Sequence, residues 1–160
     1  MAKDKVRIDT KQVKALRSNI ASRQRLLIGN MIDAADEVLL NAESDAKALA
    51  GRDSGQLENS INSSQATYSN DKISGKVGSN LVYALRRHEE HERMGTYNKY
   101  EDSVKYEGYY FNGRGEMTRA KPSIEGFKTG RKYLENAGTL NETNWRNNLT
   151  QAVTDTYKGL

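Results

Sequence analysis

The two histidines of the chain stand close together in a strongly charged run, where metal or catalytic chemistry is most easily imagined. His88 and His91 are three residues apart, with Glu89 and Glu90 between them. Zinc hydrolases of the His-Glu-x-x-His type space their histidines four residues apart and use a third protein ligand. The spacing here differs, and no third ligand is evident. We predict no metal, no cofactor and no catalytic residue in this run, and expect Glu89 to pair its charge with a neighbouring subunit.

Nucleophilic catalysis finds equally little support. The 160-residue chain has no cysteine, which removes thiolate nucleophiles, disulfides and zinc sites that need sulfur ligands. Ser54, Ser60 and Ser79 lack the Gly-x-Ser-x-Gly context of a nucleophile elbow. We therefore predict that the protein is not an enzyme. A small metal-dependent enzyme is the least favoured alternative.

Charge is unevenly distributed along a chain whose net charge is only +4. Between residues 3 and 25 eight lysines and arginines stand against two aspartates, whereas between residues 33 and 58 seven carboxylates stand against two basic side chains. This dipolar arrangement suits head-to-tail or ring packing between copies, although a solvated helix surface has the same pattern. The basic segment and Gly113-Arg114-Gly115 could also contact nucleic acid, but no known nucleic-acid-binding motif accompanies them. Nucleic-acid binding is therefore a less favoured alternative.

A long amphipathic helix is the clearest element that must position these groups. From Val13 to Leu49, apolar side chains recur at steps of three, four and seven residues, which is the period of one helix face. We predict a helix within residues 1–51. At about 1.5 Å per residue it is longer than roughly 50 Å, so the remaining residues cannot cover its whole apolar stripe. We expect part of the stripe to meet a neighbouring subunit.

The ends of this helix have local signals of their own. Asp9 or Thr10 can serve as the N-cap, and Gly51 can end the helix. Gly29 weakens the middle by about 1 kcal/mol relative to alanine. We therefore expect a bend or a break near Gly29.

Beyond the helix the sequence predicts a hairpin and a short helix. Residues 60–69 and 72–77 flank the turn dipeptide Asn70-Asp71 and predict a first β-hairpin. Residues 81–90 begin with a compact apolar group and continue into the charged run, which predicts a short helix.

The end of the chain predicts a second amphipathic helix. Apolar side chains follow one another at steps of four residues from Trp145 to Tyr157, which places the helix at residues 143–158. The pattern as a whole predicts a single α+β domain over residues 1–160. In it the long N-terminal helix packs on a small antiparallel sheet, with a hairpin insertion and a C-terminal helix.

The hairpin insertion spans residues 92–129 and is rich in aromatic side chains. Its part from Gly95 onward holds five of the nine tyrosines and both phenylalanines of the chain. Asn112-Gly113 separates residues 105–111 from residues 116–120 and predicts a turn between two strands.

Three aromatic residues, Tyr109, Tyr110 and Phe111, lead up to that predicted turn. A small polar segment has no room to bury so many rings, and aromatic residues together with arginine are typical of protein contact surfaces. We predict that Tyr109, Tyr110, Phe111 and Arg114 bind a partner from the tip of the hairpin. A hairpin packed on a core of its own is the alternative.

Four short blocks follow one another between residues 53 and 137. They are Asp53-Ser54-Gly55-Gln56-Leu57-Glu58-Asn59-Ser60-Ile61, Val77-Gly78-Ser79-Asn80, Tyr83-Ala84 leading into His88-Glu89, and Gly130-Arg131-Lys132-Tyr133-Leu134-Glu135-Asn136-Ala137. Their order and spacing resemble the tail-completion, or head-tail joining, family of tailed bacteriophages. In that family the first block is similar to Asp-Thr-Gly-x-Leu-x-x-Ser-Ile and the last to Gly-x-Lys-Tyr-Leu-Glu-x-Ala. The chain departs from the family in its long aromatic insertion, where members usually have a shorter link.

The resemblance implies a structural virion protein with no chemistry of its own. It implies a ring of copies, sixfold or a multiple of six, at the head-proximal end of the tail, where phage DNA passes without specific binding. Its partners would be head connector or stopper proteins on one side and tail terminator and tail tube proteins on the other. The expected location is the virion neck or tail top, and the host cytoplasm during assembly, with no membrane. The alternative is a tail terminator or connector ring of an adjacent neck layer.

Overall fold

The computed structural model describes residues 10–158, and its elements make an α+β fold, as the sequence predicts. The helices are α1 (Thr10–Leu49), α2 (Gln56–Ser60), α3 (Ala84–Glu89), α4 (Glu116–Arg119) and α5 (Tyr133–Tyr157). The strands are β1 (Ile61–Ser63), β2 (Thr67–Ser69), β3 (Lys72–Ser74), β4 (Val77–Ser79), β5 (Thr96–Glu101), β6 (Val104–Phe111) and β7 (Arg114–Gly115).

Helix α1 is continuous over 40 residues, which corresponds to about 60 Å. Gly29 lies inside it, so the break that we expected there is absent. The penalty of one glycine, about 1 kcal/mol relative to alanine, is small beside the cooperative hydrogen bonding of long helical segments on both sides. Thr10 is the first helical residue of the described range. Residues 1–9 of the predicted helix, with the possible cap Asp9, lie outside that range.

The C-terminal end of α1 is capped by a side chain from a distant part of the sequence. Lys121 donates from Nζ to the carbonyl oxygens of Lys47 at 2.9 Å and Ala50 at 2.7 Å. Lys47 belongs to the last turn of the helix and Ala50 follows its last residue, where backbone acceptors have no partner within the helix and a cation is favoured by the helix dipole. The same Nζ lies 2.6 Å from a carboxylate oxygen of Glu58. The cap is therefore also one half of a largely buried ion pair.

Helix α5 is longer than the predicted helix at residues 143–158, because it begins ten residues earlier, at Tyr133. Its first turns contain Tyr133–Ala137, the second part of the Gly130–Ala137 block, and Gly138 lies within the helix. The apolar period does not predict these first ten residues of the helix, because glycine and a run of polar residues interrupt it. In the structure those polar residues face α1 or solvent, so they do not end the helix.

Helix α5 packs antiparallel along the second half of α1. Asn30 donates from Nδ2 to the hydroxyl of Thr156 at 2.9 Å, and Asn141 donates from Nδ2 to the carboxylate of Asp45 at 2.6 Å. Asn141 and Thr156 are buried, and they are polar. Such side chains require partners when they are removed from water. The helix pair is thus aligned by hydrogen bonds as well as by apolar contact.

The predicted first hairpin is present, with short strands. Asn70 and Asp71 connect β2 to β3 with φ angles of 50° and 58°, the left-handed values that a two-residue hairpin turn requires. The strands on either side of this hairpin form a second ladder, in which β1 pairs antiparallel with β4. Two carboxylates of α1 accept hydrogen bonds from backbone N–H groups of this segment. Asp36 accepts from the N–H of Ala66, and Glu43 accepts from the N–H of Ser63.

The interior consists of two apolar clusters beside the second half of α1. The larger cluster contains Ala46, Leu49, Ala50, Leu57, Ile61, Ala84, Tyr133 and Ala137. The smaller cluster contains Ala35, Leu39 and Ala66, with Trp145 and Leu149 packed against it. All five buried residues of α1 lie between positions 35 and 49. The core therefore occupies only one end of the long helix.

Candidate partner interface

The histidine run starts in α3 and continues past its end. His88 is buried, its Nε2 accepts from the N–H of Glu135 at 3.4 Å, and its ring packs edge-on against Tyr133 at a centroid distance of 5.1 Å. His88 therefore supplies an acceptor to the first turn of α5, where backbone donors lack partners within the helix. Helix α3 ends at Glu89, so His91 lies beyond it. The two imidazoles therefore do not share a helix face.

Glu89 finds charge partners within its own chain. Its carboxylate lies 2.7 Å from Nζ of Lys132 and 2.8 Å from Nδ1 of His88. The hydrogen bond from Lys132, and after it that from His88, lowers the pKa of Glu89. The side chain is still half exposed, and partner binding by Glu89 stays a prediction. Within residues 10–158, no group of three or more histidine or carboxylate side chains is placed to hold a metal ion.

The aromatic insertion forms a hairpin whose tip is not where the sequence placed it. Strands β5 and β6 pair across Asp102 and Ser103, which have φ angles of 49° and 65°. Asn112-Gly113 does form a tight turn, but it leads into the two-residue strand β7 and then into a helical turn at Glu116–Arg119. The predicted strand at residues 116–120 is therefore wrong. Because Asn-Gly is the strongest short turn signal, it concealed the Asp-Ser turn that makes the longer hairpin.

Tyr109 belongs to the base of this hairpin, where it contacts the loop that follows α1. Its hydroxyl donates to Oδ1 of Asp53 at 3.3 Å, and Nζ of Lys99 lies 2.8 Å from the same oxygen and 4.9 Å from the Tyr109 ring centroid. Arg119 donates to the carbonyl oxygen of Tyr109 at 3.2 Å. The hydrogen bond from Lys99 is the main cause that lowers the pKa of Asp53, while burial raises the pKa of Tyr109. These contacts fix the hairpin to the rest of the chain.

A bulge in β6 gives Tyr109 its position. The register of β5 and β6 shifts between Tyr97 and Lys99. Opposite this shift, Gly108 has a φ angle of 65° and donates its N–H to the side chain of Asn98 at 3.0 Å. A left-handed residue in a bulge is best filled by glycine. The extra residues in β6 bring the rings of Tyr106 and Tyr109 within 6.4 Å of each other.

The other predicted partner residues are distributed between the interior and the surface. Tyr110 is half-buried, with its ring 4.9 Å from that of Tyr109, and Phe111 is half exposed. Arg114 donates to the hydroxyl of Thr129 at 3.0 Å, while its Nε is buried without a partner among the described residues. The predicted position of the three aromatic residues at a hairpin tip is wrong, because that tip is formed by Asp102 and Ser103. Partner binding by these residues stays a prediction.

The distal part of the hairpin exposes a different set of apolar side chains. Tyr100 is 72% exposed and Val104 is 51% exposed. Val104 directly follows the tip turn, and Tyr100 lies two residues before it. The Tyr100 hydroxyl makes no hydrogen bond with another residue of the range 10–158. In the sequence, Tyr100 is one of several aromatic residues of the insertion, and no local signal distinguishes it from Tyr109. The turn at Asp102-Ser103 places Tyr100 at the distal end of the hairpin, whereas Tyr109 lies at its base and contacts Asp53.

A second exposed apolar surface lies on the first half of α1. Leu16, Ile20 and Leu26 are 60%, 58% and 54% exposed. They line an open cleft together with Tyr157, at the end of α5. The apolar stripe of α1 thus continues beyond the last turn of the helix that covers its other half. Within the described residues, this part of the stripe is uncovered, as its length led us to expect.

The acidic residues between positions 33 and 58 divide into two groups. Asp36, Glu43, Asp45, Asp53 and Glu58 accept hydrogen bonds from other parts of the chain. Asp33 and Glu37 are exposed and make no hydrogen bond or ion pair with another residue of the range 10–158. Most of the acidic charge that the sequence suggested for contacts between copies is therefore used internally, and two carboxylates are left.

Comparison with models of protein families, with curated proteins and with solved structures gives no match for this chain. Among the described residues, no helix combines the length and the apolar character needed to cross a lipid bilayer.

Proposed function

We propose that the protein is a structural subunit of a ring at the head-proximal end of a bacteriophage tail, which completes the tail and joins it to the head. The proposal rests on the four sequence blocks that resemble the tail-completion family and on the place where those blocks meet in the fold. It assigns no chemistry to the chain. The ring would provide a docking surface for the filled head and leave a channel for DNA.

The observation that carries the proposal is that all four blocks contribute to one apolar cluster. The first block supplies Leu57 and Ile61, the second Val77, the third Ala84, and the fourth Tyr133 and Ala137. The blocks span more than 80 residues of sequence. Residues this far apart in sequence are constrained together when they pack in one core, because the size and shape of each side chain limit those of its neighbours.

The aromatic insertion stands apart from this cluster. None of the eight buried residues that form it comes from residues 92–129; the insertion adds only the half-buried Ile124 and Phe127 at its edge. The departure from the family pattern is therefore an addition to a shared framework. An added hairpin with exposed Tyr100 and Val104 next to its tip suits contact with the neighbouring component of the neck.

The function is tested by an infection in which the gene for this chain is deleted from the phage that carries it. We expect filled heads and finished tails to accumulate separately, and purified protein added to the lysate to restore joined, infectious particles. Negative-stain images of the protein on tails should show a ring at the tail end. Normal joined particles in the absence of the protein would exclude this function.

The contact surface is tested by replacing Tyr100 and Val104 together with serine. Because both side chains are mostly exposed, we expect an unchanged melting temperature, whereas loss of one interface hot spot of about 2 kcal/mol lowers affinity about thirtyfold. Tyr68→Ser, on the other hairpin, is the matched control and should join heads to tails normally. Normal joining by the double variant would move the contact surface away from the hairpin tip.

A further inference from the structure

The first half of α1 combines exposed apolar side chains with charge of one sign. Between Thr10 and Gly29 there are five basic residues and no acidic residue. The exposed Leu16 and Ile20 lie one helical turn apart. At about 100° per residue, Arg17 and Arg23 flank this face, whereas the other three basic side chains point to the opposite side of the helix. An exposed apolar ridge bordered by charge is typical of a protein interface rather than of a solvated helix face.

The same helix face is occupied further along by α5. Arg23 donates to the carbonyl oxygen of Thr156 at 3.4 Å, and Asn30 binds the hydroxyl of Thr156. Helix α5 ends one residue later, at Tyr157. The cleft formed by Leu16, Ile20, Leu26 and their neighbours begins there. The uncovered ridge therefore continues a surface that already accepts a packed helix pair in the other half of α1.

An acidic surface, opposite in charge to the ridge, lies along the line where α1 and α5 meet, here called the acidic seam. Asp33 and Glu37 on α1 and Asp155 on α5 border an open cleft of about 430 Å³. Asp33 and Glu37 have no partner within residues 10–158. Asp155 accepts one hydrogen bond, from Gln151 on its own helix. Leu40, one turn after Glu37, is 62% exposed and offers an apolar contact beside the carboxylates.

We propose that the basic apolar ridge of one copy, centred on Leu16 and Ile20, binds the acidic seam of the next copy, at Asp33, Glu37 and Asp155. This inference rests on the proposed function for ring closure, but the contact itself is defined by the two surfaces of the chain. The occupant is a second copy because the surface that complements the ridge in charge is present on the same molecule.

The charges also determine the symmetry of the contact. Two ridges packed against each other in a twofold dimer would bring Arg17 and Arg23 of both copies together, which disfavours that arrangement electrostatically. A contact between the ridge of one copy and the acidic seam of the next is a head-to-tail contact, because it joins two different surfaces. Repetition of such a contact generates a ring when the rotation closes. The ring geometry is therefore a consequence of the polarity of α1.

Charge reversal tests this contact in purified protein. The ridge variant carries Arg17→Glu with Asn19→Glu, at a position that lines the ridge cleft, the seam variant carries Asp33→Lys with Glu37→Lys, and a third chain carries all four changes. By sedimentation at low salt, we expect each two-residue variant to self-associate about tenfold or more weakly than the unaltered protein. The four-residue variant should recover association, because its ridge and seam are complementary again. A twofold contact between ridges predicts no recovery in that chain.

Disulfide crosslinking supplies a second measurement, because the chain has no cysteine of its own. Asn19, which lines the ridge cleft, and Glu37 are 18 positions apart on one continuous helix, a separation of about 27 Å. A disulfide between cysteines placed at these two positions therefore has to join different copies. We expect Asn19→Cys with Glu37→Cys to form disulfide-linked oligomers, and Lys14→Cys with Glu37→Cys to form far fewer, because Lys14 lies on the opposite side of the helix.

The control exchanges the exposed hairpin pair, Lys105→Glu with Glu107→Lys, and should leave association unchanged. Circular dichroism should give the same helix content for all variants, because the altered side chains are exposed. An unaltered protein that stays monomeric at high concentration and low salt overturns the proposal, as does a four-residue variant that remains monomeric. These assays need no heads or tails. Failure of the head-tail joining function with intact ridge-on-seam association would therefore be recognised separately.

Discussion

The two halves of α1 have the same apolar period and belong to one unbroken helix, yet they differ in burial and in their hydrogen bonds with the rest of the chain. Residues 30–49 contain all five buried residues of the helix, and residues 10–29 contain none. The carboxylates of the second half mostly accept hydrogen bonds from other elements, whereas the first half exposes Leu16 and Ile20. An amphipathic period thus determines where a helix presents apolar surface, but not whether its own chain or another one covers it.

The largest expected effect comes from truncating one leucine in each half. Leu49 is completely buried, and Leu16 is 60% exposed. Leu49→Ala should lower the free energy of unfolding by about 3 kcal/mol or more, whereas Leu16→Ala should change it by less than about 0.5 kcal/mol. Urea denaturation followed by circular dichroism measures both. A large loss for Leu16→Ala in dilute protein would mean that the first half belongs to the folded core after all.

The second comparison concerns the cap at the end of the buried half. Burial raises the pKa of Glu58, but hydrogen bonds from Arg52 and Lys121 outweigh burial and leave that pKa below its ordinary value. For Lys121 burial dominates and lowers the pKa, with Glu58 opposing it in part. Burial thus disfavours the charge of both groups, and each depends on its partner to offset that cost.

Lys121→Met should lower the free energy of unfolding by about 3 kcal/mol, because it leaves two carbonyls at the end of α1 without their donor and Glu58 with Arg52 as its remaining cation. Lys105→Met is the matched control, since the exposed pair of Lys105 and Glu107 should contribute less than about 1 kcal/mol. Denaturant midpoints of the two variants measure the difference. Equal losses would contradict the assignment of Lys121 as the cap of α1.

Two glycines give the third comparison, with effects of opposite sign. A β-carbon on Gly75 would overlap Cδ1 of Leu39, a buried residue in the second half of α1, while a β-carbon on Gly29 would meet open space. Gly75→Ala should destabilise the protein by about 2 kcal/mol. Gly29→Ala should stabilise it by about 1 kcal/mol, through helix propensity alone. Thermal unfolding of both variants tests the signs, and stabilisation by Gly75→Ala would show that the hairpin is loosely packed on α1.

The smallest expected effect is a pH dependence located in the second half. Hydrogen bonds from Lys47, and then from the side chain and backbone of Ser63, lower the pKa of Glu43 from 4.5 to about 2. A carboxyl whose pKa is lower in the folded state stabilises the fold above its unfolded pKa, and that contribution is lost as the pH falls from about 4.5 to about 2.

Glu43→Gln should therefore cost about 1.5 kcal/mol at pH 7 and lose less stability than the unaltered protein between pH 5 and pH 3. Glu37→Gln, six residues earlier on the helix and without a partner in the described chain, is the control and should preserve the original acid sensitivity. Urea titrations at pH 5 and pH 3 measure the free energy of unfolding of each variant. An unchanged acid sensitivity in Glu43→Gln would mean that this carboxylate does not hold the strand at Ser63.

The sequence by itself determined the features that follow from local period and turn chemistry. The steps from Val13 to Leu49 placed α1, the Asn70-Asp71 dipeptide placed the first hairpin, and the apolar start of residues 81–90 placed the short helix α3. The α+β class follows from these elements. Such signals are readable because each depends on residues only a few positions apart.

Only the tertiary structure decided which dipeptide forms the hairpin tip, which side chain caps α1 and which part of α1 is covered. The hairpin tip falls at Asp102-Ser103 because strand β6 continues through a bulge to contact Asp53, 56 positions from Tyr109. Lys121 becomes the cap of α1 because the chain returns over 71 positions to Ala50. Among residues 10–158, nothing covers the first half of α1, because α5 ends at Tyr157. Each outcome depends on contacts between distant residues, whose free energies are comparable to local propensities but leave no periodic trace in the sequence.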